Sequence, residues 1–255
     1  MRGGSPRDDR ESIPSPAPTQ SGPLRQGARC GTMGRMRIVA VADTHTFEAD
    51  LGPLPDGDVF VHAGDLLRGG TLEELGPVAE WIRGLPHRHK IVVAGNHDWC
   101  FARERDAALA ALGAGVVYLE DDGCVVDGVR FWGSPWQPAY NDWAFNLPRG
   151  PALAARWALI PPQTDVLITH GPPHGFGDRG PVPGRQGCED LRARVTRIAP
   201  RAHLFGHIHQ DGGRWVEGGT SYFNVTTWEC ERRPTVIDLD ASSGVVVGVD
   251  VPPRE

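Results

Sequence analysis

Five short stretches of the sequence place metal-ligating side chains directly after apolar runs. The clearest is Gly95-Asn96-His97-Asp98, which follows the apolar residues 91–94. Glycine lets the backbone turn sharply there, so that an amide oxygen and an imidazole can be directed to one point. The other four stretches have the same construction, and they supply Asp43 with His45, Asp65, His170, and His207 with His209.

Each stretch alone has an ordinary structural explanation. Asp43 could close an Asx turn, Asp65 could cap a helix, and His170 could be a core histidine with its hydrogen bonds satisfied. Together, however, they supply two carboxylates, one amide and four imidazoles. Crowding such groups in a protein interior is unfavourable unless a metal satisfies them. The joint pattern therefore favours a metal site.

The ligand types indicate which metals and how many. Oxygen and nitrogen ligands without a thiolate favour Mn, Fe, Zn, Ni or Co over Ca or Cu(I), and we expect Mn²⁺. Seven ligands exceed the needs of one tetrahedral ion but fit two divalent ions that share a carboxylate. Two such cations against two carboxylates leave a site charge of about +2 when the imidazoles are neutral. This charge attracts a phosphate group, and the pattern predicts ester hydrolysis by a metal-activated hydroxide.

The elements that must position these residues alternate along the chain. Strands are predicted over residues 38–42, 59–62, 90–94, 166–169 and 203–205, and helices over residues 71–85, 101–112, 153–159 and 189–198. Thr71 is the expected N-cap of the first helix, with Glu74 completing a capping box. Asp127-Gly128 predicts a hairpin, and short strands fill residues 214–251. The order predicts an α/β sandwich of two mixed β-sheets flanked by helices, in four layers α/β/β/α. Ligands bind such sheets beyond the carboxyl ends of their strands, where the five polar stretches lie.

Size and composition limit the domain organisation. A chain of 255 residues with 40% hydrophobic content predicts one main domain, which we place at residues 36–255. Residues 1–35 are rich in Pro, Gly, Ser and Arg, and we expect this N-terminal extension to be disordered. Met33 and Met36 stand at its end, and either could be the true start.

Charge and cysteine content exclude some partners. A net charge of -6 and a pI of about 5.9 argue against binding to long nucleic acid. The five cysteines are single and odd in number, which favours reduced thiols. The sequence has no apolar run of membrane-spanning length, so we expect no membrane partner and a cytoplasmic location.

The order of these motifs along the chain resembles that of a known family. The ordered set Asp-x-His, Gly-Asp, Gly-Asn-His-Asp, His-Gly and Gly-His-x-His resembles the calcineurin-like metallophosphoesterase superfamily. Residues 37–240 look most similar to its small metallophosphoesterase-domain-containing (MPPED-type) members, through residues 91–97, 133–138, 141–150, 169–173 and 205–209. Leu66-Leu67-Arg68 and Asp98 depart from the protein-phosphatase branch, which argues against a phosphoprotein substrate.

The resemblance implies a role for each ligand residue. One ion would be held by Asp43, His45, Asp65 and His209. Asp65 would share the second ion with Asn96, His170 and His207. His97 would hydrogen-bond the phosphoryl oxygen or protonate the leaving alkoxide, with Asp98 as its partner and second catalytic residue.

Several further residues each have two interpretations. Trp136, in the aromatic stretch 132–143, is either a packed loop anchor or a stacking wall for a base or aromatic leaving group. His174 is either a solvent-exposed loop histidine or a contact for the substrate phosphate. His62 is either a buried structural histidine or a support for the site, whereas His87 and His203 are not expected to be ligands.

The expected function is hydrolysis of phosphodiester or phosphomonoester bonds. The expected substrate is a small phosphate ester, with small or cyclic nucleotides slightly favoured. One alternative is a metal-binding scaffold with incidental phosphatase activity. A mononuclear metalloprotease-like hydrolase is another, but the sequence lacks an HExxH helix.

Overall fold

The computed structural model describes residues 34–240 and 242–252. The predicted disordered extension lies outside the described residues, apart from its last two positions. Arg35 is paired with Asp240 in a strand, so the folded part includes one residue that the predicted boundary at residue 36 left out.

Strands and helices alternate through the described part of the chain. Its strands are β1 (Arg35–Val41), β2 (Val59–Ala63), β3 (His89–Val93), β4 (Val116–Tyr118), β5 (Asp122–Val126), β6 (Val129–Ser134), β7 (Gln137–Pro138), β8 (Asn146–Leu147), β9 (Val166–Thr169), β10 (Ala202–Phe205), β11 (Gly213–Glu217), β12 (Thr220–Asn224), β13 (Thr235–Asp240) and β14 (Val246–Asp250). Its α-helices are α1 (Leu72–Gly84), α2 (Trp99–Arg103), α3 (Arg105–Leu112), α4 (Pro151–Ala158) and α5 (Glu189–Ile198).

The strands form two mixed sheets, as predicted. The first sheet has the order β14-β13-β1-β2-β3-β4. In it β1 to β4 are parallel, β13 is antiparallel to β1, and β14 is antiparallel to β13. The second sheet has the order β11-β12-β10-β9-β6-β5, with four parallel strands between antiparallel edge strands. The parallel strands point their carboxyl ends to one edge of each sheet.

Alternation of apolar side chains along the strands produces three buried layers. Residues facing inward from both sheets form the central layer, with Ile38 and Val61 from the first sheet and Ile168 and Leu204 from the second. The outer face of the first sheet packs on α1, α2 and α3, and that of the second on α4 and α5. Each fully buried Leu, Ile or Phe contributes roughly 1.5–3 kcal/mol. The predicted four-layer sandwich is confirmed.

Two local details differ from the predictions. Thr71 caps α1 as expected, since its hydroxyl accepts from the Glu74 amide at 3.2 Å. The Glu74 carboxylate, however, accepts from the Gly69 and Gly70 amides at 2.9 Å, so it fixes the turn before the helix. The helix expected over residues 101–112 is divided at Glu104, whose φ of −134° and ψ of 44° are not helical.

No helix in the described residues is long and apolar enough to cross a membrane.

Candidate metal centre

The predicted metal ligands meet where the carboxyl ends of the two sheets adjoin. A hydrogen bond of 3.1 Å from the Ala42 amide to the Val225 carbonyl joins the two edges. The ligands from the first sheet follow β1 (Asp43 and His45), β2 (Asp65) and β3 (Asn96), and those from the second follow β9 (His170) and β10 (His207 and His209).

The side chains form two groups of potential ligands. The ligand atoms of Asp43, His45 and His209 lie within 4.8 Å of one another, and so do those of Asp65, His170 and His207. Asn96 lies beside the second group, with its Oδ1 atom 2.9 Å from His170 Nε2. The structure therefore brings together all seven side chains that the sequence predicts as metal ligands.

Asp65 belongs to the second group and also approaches the first. Its Oδ2 atom is 3.3 Å from His170 Nε2 in the second group and 3.8 Å from His45 Nε2 in the first. Its Oδ1 atom accepts a hydrogen bond from the His97 amide at 2.8 Å. This position suits a carboxylate that two cations share.

Four of the ligand residues have a left-handed backbone. The φ angles are 58° at Asp43, 47° at His45, 56° at Asp65 and 71° at His207. Such angles are uncommon and costly for residues other than glycine, and they persist only where the surroundings enforce them. Backbone hydrogen bonds do so here, since the amides of Asp43 and His45 donate to the carbonyls of Gly64 and Asp65 at 2.9 and 3.1 Å.

The glycine before Asn96 is required for space. The chain turns at Gly95 as expected, since the Asp98 amide donates to the Gly95 carbonyl at 3.2 Å, although the φ of Gly95 is not positive. A Cβ atom at this position would overlap the carboxylate and amide of Asp65. A Cβ atom at Gly206 would lie 2.6 Å from Asp43 Oδ2. These glycines therefore let ligand turns from different strands approach one another.

Backbone carbonyls orient two of the ligand rings. The Nδ1 atom of His45 is 3.1 Å from the Leu67 carbonyl, and that of His170 is 3.0 Å from the Ala63 carbonyl. Each carbonyl accepts from a protonated Nδ1, which leaves the lone pair of Nε2 on the side of the carboxylates. Each ring, once its Nε2 proton is lost to a metal, is therefore preset to ligate through Nε2.

The charges at this site fit divalent cations. Asp43 and Asp65 are buried, and no lysine or arginine of the described residues forms an ion pair with either one. Burial raises the pKa of both carboxyls, but His209 at Asp43 and His170 at Asp65 outweigh it and hold both pKa values below the usual range. Burial lowers the pKa of His170, yet Asp65 raises it to about 9. The protein thus balances two buried carboxylates only with imidazole protons, which divalent cations would replace.

His97 lies at the rim of the first group. Its ring stands edge-on to His45, with centroids 4.7 Å apart, and a ligand atom of His97 lies within 4.8 Å of those of His45 and Asp65. Its Nδ1 atom is 2.8 Å from the Arg68 carbonyl. This leaves Nε2 for a bound substrate.

No hydrogen bond joins Asp98 to the His97 ring, which differs from the partnership implied by the resemblance. Its fully buried carboxylate accepts from the amides of Leu66, Leu67 and Gly95 at 3.2, 2.9 and 2.7 Å. Burial, followed by the charge of Asp65, raises its pKa to about 7. Asp98 thus ties the turn after β2 to the turn after β3.

Among the described residues, no hydrogen bond or ring contact joins either candidate substrate-binding residue to a predicted ligand. The Trp136 indole donates to Asp121 at 2.8 Å, stacks under Arg156 at 4.2 Å and meets Phe145 edge-on. These contacts agree with a packed loop anchor. His174 is half-buried, and its ring has no polar partner among the described residues.

Two other tryptophans contact the site instead. The Trp143 ring lies over His97, with centroids 4.1 Å apart and an angle of 32° between the planes. The centroid of the Trp228 ring lies 6.4 Å from that of His209. Trp228 begins a run of three residues with left-handed φ angles, and the amide of the next residue, Glu229, donates to the Asp43 carbonyl at 2.9 Å. Trp143 belongs to the aromatic stretch noted in the sequence, but nothing in the sequence singles out Trp228.

An α/β/β/α sandwich with carboxylate, amide and imidazole ligands at the adjoining sheet edges defines a metallohydrolase-type site. The chain belongs to the calcineurin-like phosphoesterase family, whose model matches residues 36–211. The family uses divalent metal ions.

Relatives share most of the chain. It is 41% identical over 234 residues to Metallophosphoesterase domain-containing protein 1 of Homo sapiens, covering 81% of this chain and 72% of that protein. It is 39% identical over 214 residues to UPF0046 protein K07C11.7 of Caenorhabditis elegans, covering 77% and 71%. The crystal structure of TT1561 of Thermus thermophilus has a TM-score of 0.58 at 15% identity, covering 86% of this chain and 99% of that one, and it shows the common fold.

Proposed function

We propose that this protein is a dinuclear metal-dependent phosphoesterase that hydrolyses phosphodiester or phosphomonoester bonds. The observation that carries this proposal is the pair of ligand groups with Asp65 between them. In this proposal Asp43, His45, Asp65 and His209 hold one ion, while Asp65, Asn96, His170 and His207 hold the other. When bound, the two cations would stabilise charge on the phosphate oxygens and supply the acidity that makes water a nucleophile at neutral pH.

His97 has the proposed role of proton donor and phosphate contact. The Arg68 carbonyl accepts from Nδ1 at 2.8 Å, which keeps that nitrogen protonated and its ring orientation fixed. Nε2 is then the atom that exchanges a proton. A protonated Nε2 can donate to a phosphoryl oxygen or to the leaving alkoxide. Asp98 supports this arrangement through the backbone rather than by contact with the ring.

The proposed substrate is a small phosphate ester, with a phosphodiester such as a small or cyclic nucleotide favoured. Trp143 over His97 and Trp228 near His209 offer aromatic faces on which a base can stack. The net charge of -6 argues against long nucleic acid as the substrate. Mn²⁺ is the proposed ion, since it accepts carboxylate, amide and imidazole ligands together.

We also propose a cytoplasmic location. The four cysteines of the described residues, Cys100, Cys124, Cys188 and Cys230, are free thiols. Unpaired cysteines are typical of reducing compartments.

The test compares two esters. Protein stripped with a chelator and reloaded with Mn²⁺ is assayed on bis-p-nitrophenyl phosphate and on p-nitrophenyl phosphate. We expect both to be cleaved, the diester at the higher kcat/KM, and the chelated protein to be inactive. Failure to cleave either ester with any divalent metal would contradict the proposal, and two bound ions without turnover would favour a metal-binding scaffold.

A further inference from the structure

Two buried histidines outside the ligand set repeat one arrangement, once in each sheet. His62 lies on β2 of the first sheet and His203 on β10 of the second, and neither ring is accessible to solvent. The Nε2 atom of His62 is 2.9 Å from the hydroxyl of Thr44, and that of His203 is 2.8 Å from the hydroxyl of Thr169. Each ring therefore binds a threonine through the same atom.

Both threonines are chain neighbours of proposed metal ligands. Thr44 stands between Asp43 and His45, and Thr169 immediately precedes His170. His62 pairs with Val41 in β1, and His203 pairs with Leu167 in β9, so each ring reaches the carboxyl end of the adjacent parallel strand. One histidine thus holds the turn of the first ligand group, and the other holds a turn of the second.

The direction of the hydrogen bond is fixed in the second sheet. The Thr169 hydroxyl donates to the Gly171 carbonyl at 2.8 Å, so it must accept from His203 Nε2–H. Burial lowers the pKa of both His62 and His203 to about 3, so both rings are neutral beside the proposed cation site.

Packing alone does not explain two imidazoles at these positions. The Nδ1 atoms of His62 and His203 have no hydrogen-bond partner among the described residues. A buried polar atom without a partner is unfavourable, and an apolar side chain would avoid that penalty. The bond from Nε2 to the threonine is what the imidazole adds.

We propose that His62 and His203 are positioning residues, which hold the ligand-bearing turns through Thr44 and Thr169 in the geometry that two metal ions require. The inference rests on the proposed dinuclear function. Loss of the His62 contact should weaken metal binding more than loss of the His203 contact. In the turn that His62 contacts, Asp43, His45 and Thr46 have φ angles of 58°, 47° and 67°, and such angles persist only where the surroundings enforce them. His170, beyond Thr169, has an ordinary negative φ.

The test measures metal affinity rather than turnover. Full-length protein is stripped with a chelator and titrated with Mn²⁺ by calorimetry and by electron paramagnetic resonance. We expect wild type to bind two ions, His62→Leu to bind one of the two about 10-fold more weakly, and His203→Leu to bind one of the two more weakly by a smaller factor. His62→Gln and His203→Gln, whose amides can donate in place of Nε2–H, should restore most of the affinity.

His87→Leu is the matched control. This histidine is also buried, its Nε2 atom is 3.1 Å from the Pro55 carbonyl, and its Nδ1 atom has no partner among the described residues. It lies before β3, at the opposite end of that strand from Asn96. Its leucine variant should bind Mn²⁺ like wild type, even if its melting temperature changes.

Thr44→Val tests the same contact from the other side, and it keeps the inference testable should a leucine variant fail to fold. We expect Thr44→Val to lower the affinity for one of the two Mn²⁺ ions about 10-fold. The double variant with His62→Leu should be no weaker than either single variant, because both remove one hydrogen bond. Additive losses in this cycle would overturn the inference for His62.

Other outcomes would also overturn the inference. One is wild-type affinity for both ions in the two leucine variants and in Thr44→Val. Another is an equal loss in His87→Leu, which would indicate a general effect of core substitution. Wild-type protein that binds no Mn²⁺ would overturn this inference together with the proposed function, whereas two ions with graded losses but no ester cleavage would contradict the proposed function alone.

Discussion

The two ends of the parallel strands treat carboxylates in opposite ways. At the amino ends of β9 and β10, Asp165 accepts two hydrogen bonds from the Arg130 guanidinium, at 2.7 and 3.0 Å, and lies 3.5 Å from Arg201. At the carboxyl ends of β1 and β2, Asp43 and Asp65 are buried and have only imidazoles as ion-pair partners among the described residues. The amino ends of two strands in the second sheet therefore carry a balanced ionic cluster, whereas the carboxyl ends of two strands in the first sheet carry an unbalanced one.

This difference separates stability from function. A carboxylate paired with arginines needs nothing from solution, and its contribution is to the folded state. A buried carboxylate without such a partner is unfavourable unless a cation supplies the charge. Left-handed angles at Asp43 and Asp65 point the same way, since strained backbone is maintained where a site requires it. The comparison predicts opposite results for matched substitutions at the two ends.

The largest expected effect is on catalysis by Asp65→Asn. This variant removes the carboxylate between the two ligand groups while keeping the shape of the side chain. We expect kcat/KM for bis-p-nitrophenyl phosphate to fall by roughly 10³-fold, equivalent to about 4 kcal/mol of transition-state stabilisation. Asp165→Asn is the control and should keep wild-type kcat/KM. Activity of Asp65→Asn within tenfold of wild type would contradict the role assigned to Asp65.

A smaller effect is expected in stabilisation by metal. An ion that binds only the native state at about 100 times its Kd stabilises by roughly 2.7 kcal/mol per site, which raises Tm by several degrees. Addition of Mn²⁺ should therefore raise the Tm of wild type and of Asp165→Asn equally in differential scanning calorimetry. Asp65→Asn should lose most of this increase. An equal rise in all three proteins would show that Mn²⁺ acts elsewhere.

Much of the fold and the ligand set could be predicted from sequence because both depend on local patterns. Apolar runs of four or five residues form the buried parallel strands, and parallel strands bring their carboxyl ends to one edge. A polar residue after each run must then lie at that edge. This is why Asp65, Asn96 and His170 could be nominated from widely separated positions. The confirmed hairpin at Asp127-Gly128 is equally local.

What the sequence did not reveal depends on distant contacts. Asp98 follows His97 in the chain, but two amides from the turn after β2 and the Gly95 amide of its own turn donate to its carboxylate and direct it inward. Trp143 reaches His97 because the amide of its neighbour Ala144 donates to the Asn96 carbonyl at 3.0 Å. The predicted helix is divided at Glu104, although no glycine or proline in that part of the sequence indicates a break. No spacing rule within one segment carries such information.

The smallest expected effect is on stability, at the arginine-paired end of the strands. Asp165→Asn should lower the free energy of unfolding by about 1 kcal/mol at pH 7, because Arg130 and Arg201 are partly exposed and solvent screens the pair. Burial raises the pKa of the Asp165 carboxyl, but hydrogen bonds from Arg130 outweigh it and lower that pKa below its ordinary value. A lowered pKa means that the carboxylate stabilises the fold above about pH 4 and stops doing so as the pH falls through the folded-state pKa. Urea unfolding of both proteins at pH 7 and below pH 3 should therefore show a difference that disappears in acid. A difference that persists there would mean that Asp165 acts through shape and neutral hydrogen bonds, and the contrast between the two strand ends would then not be one of charge.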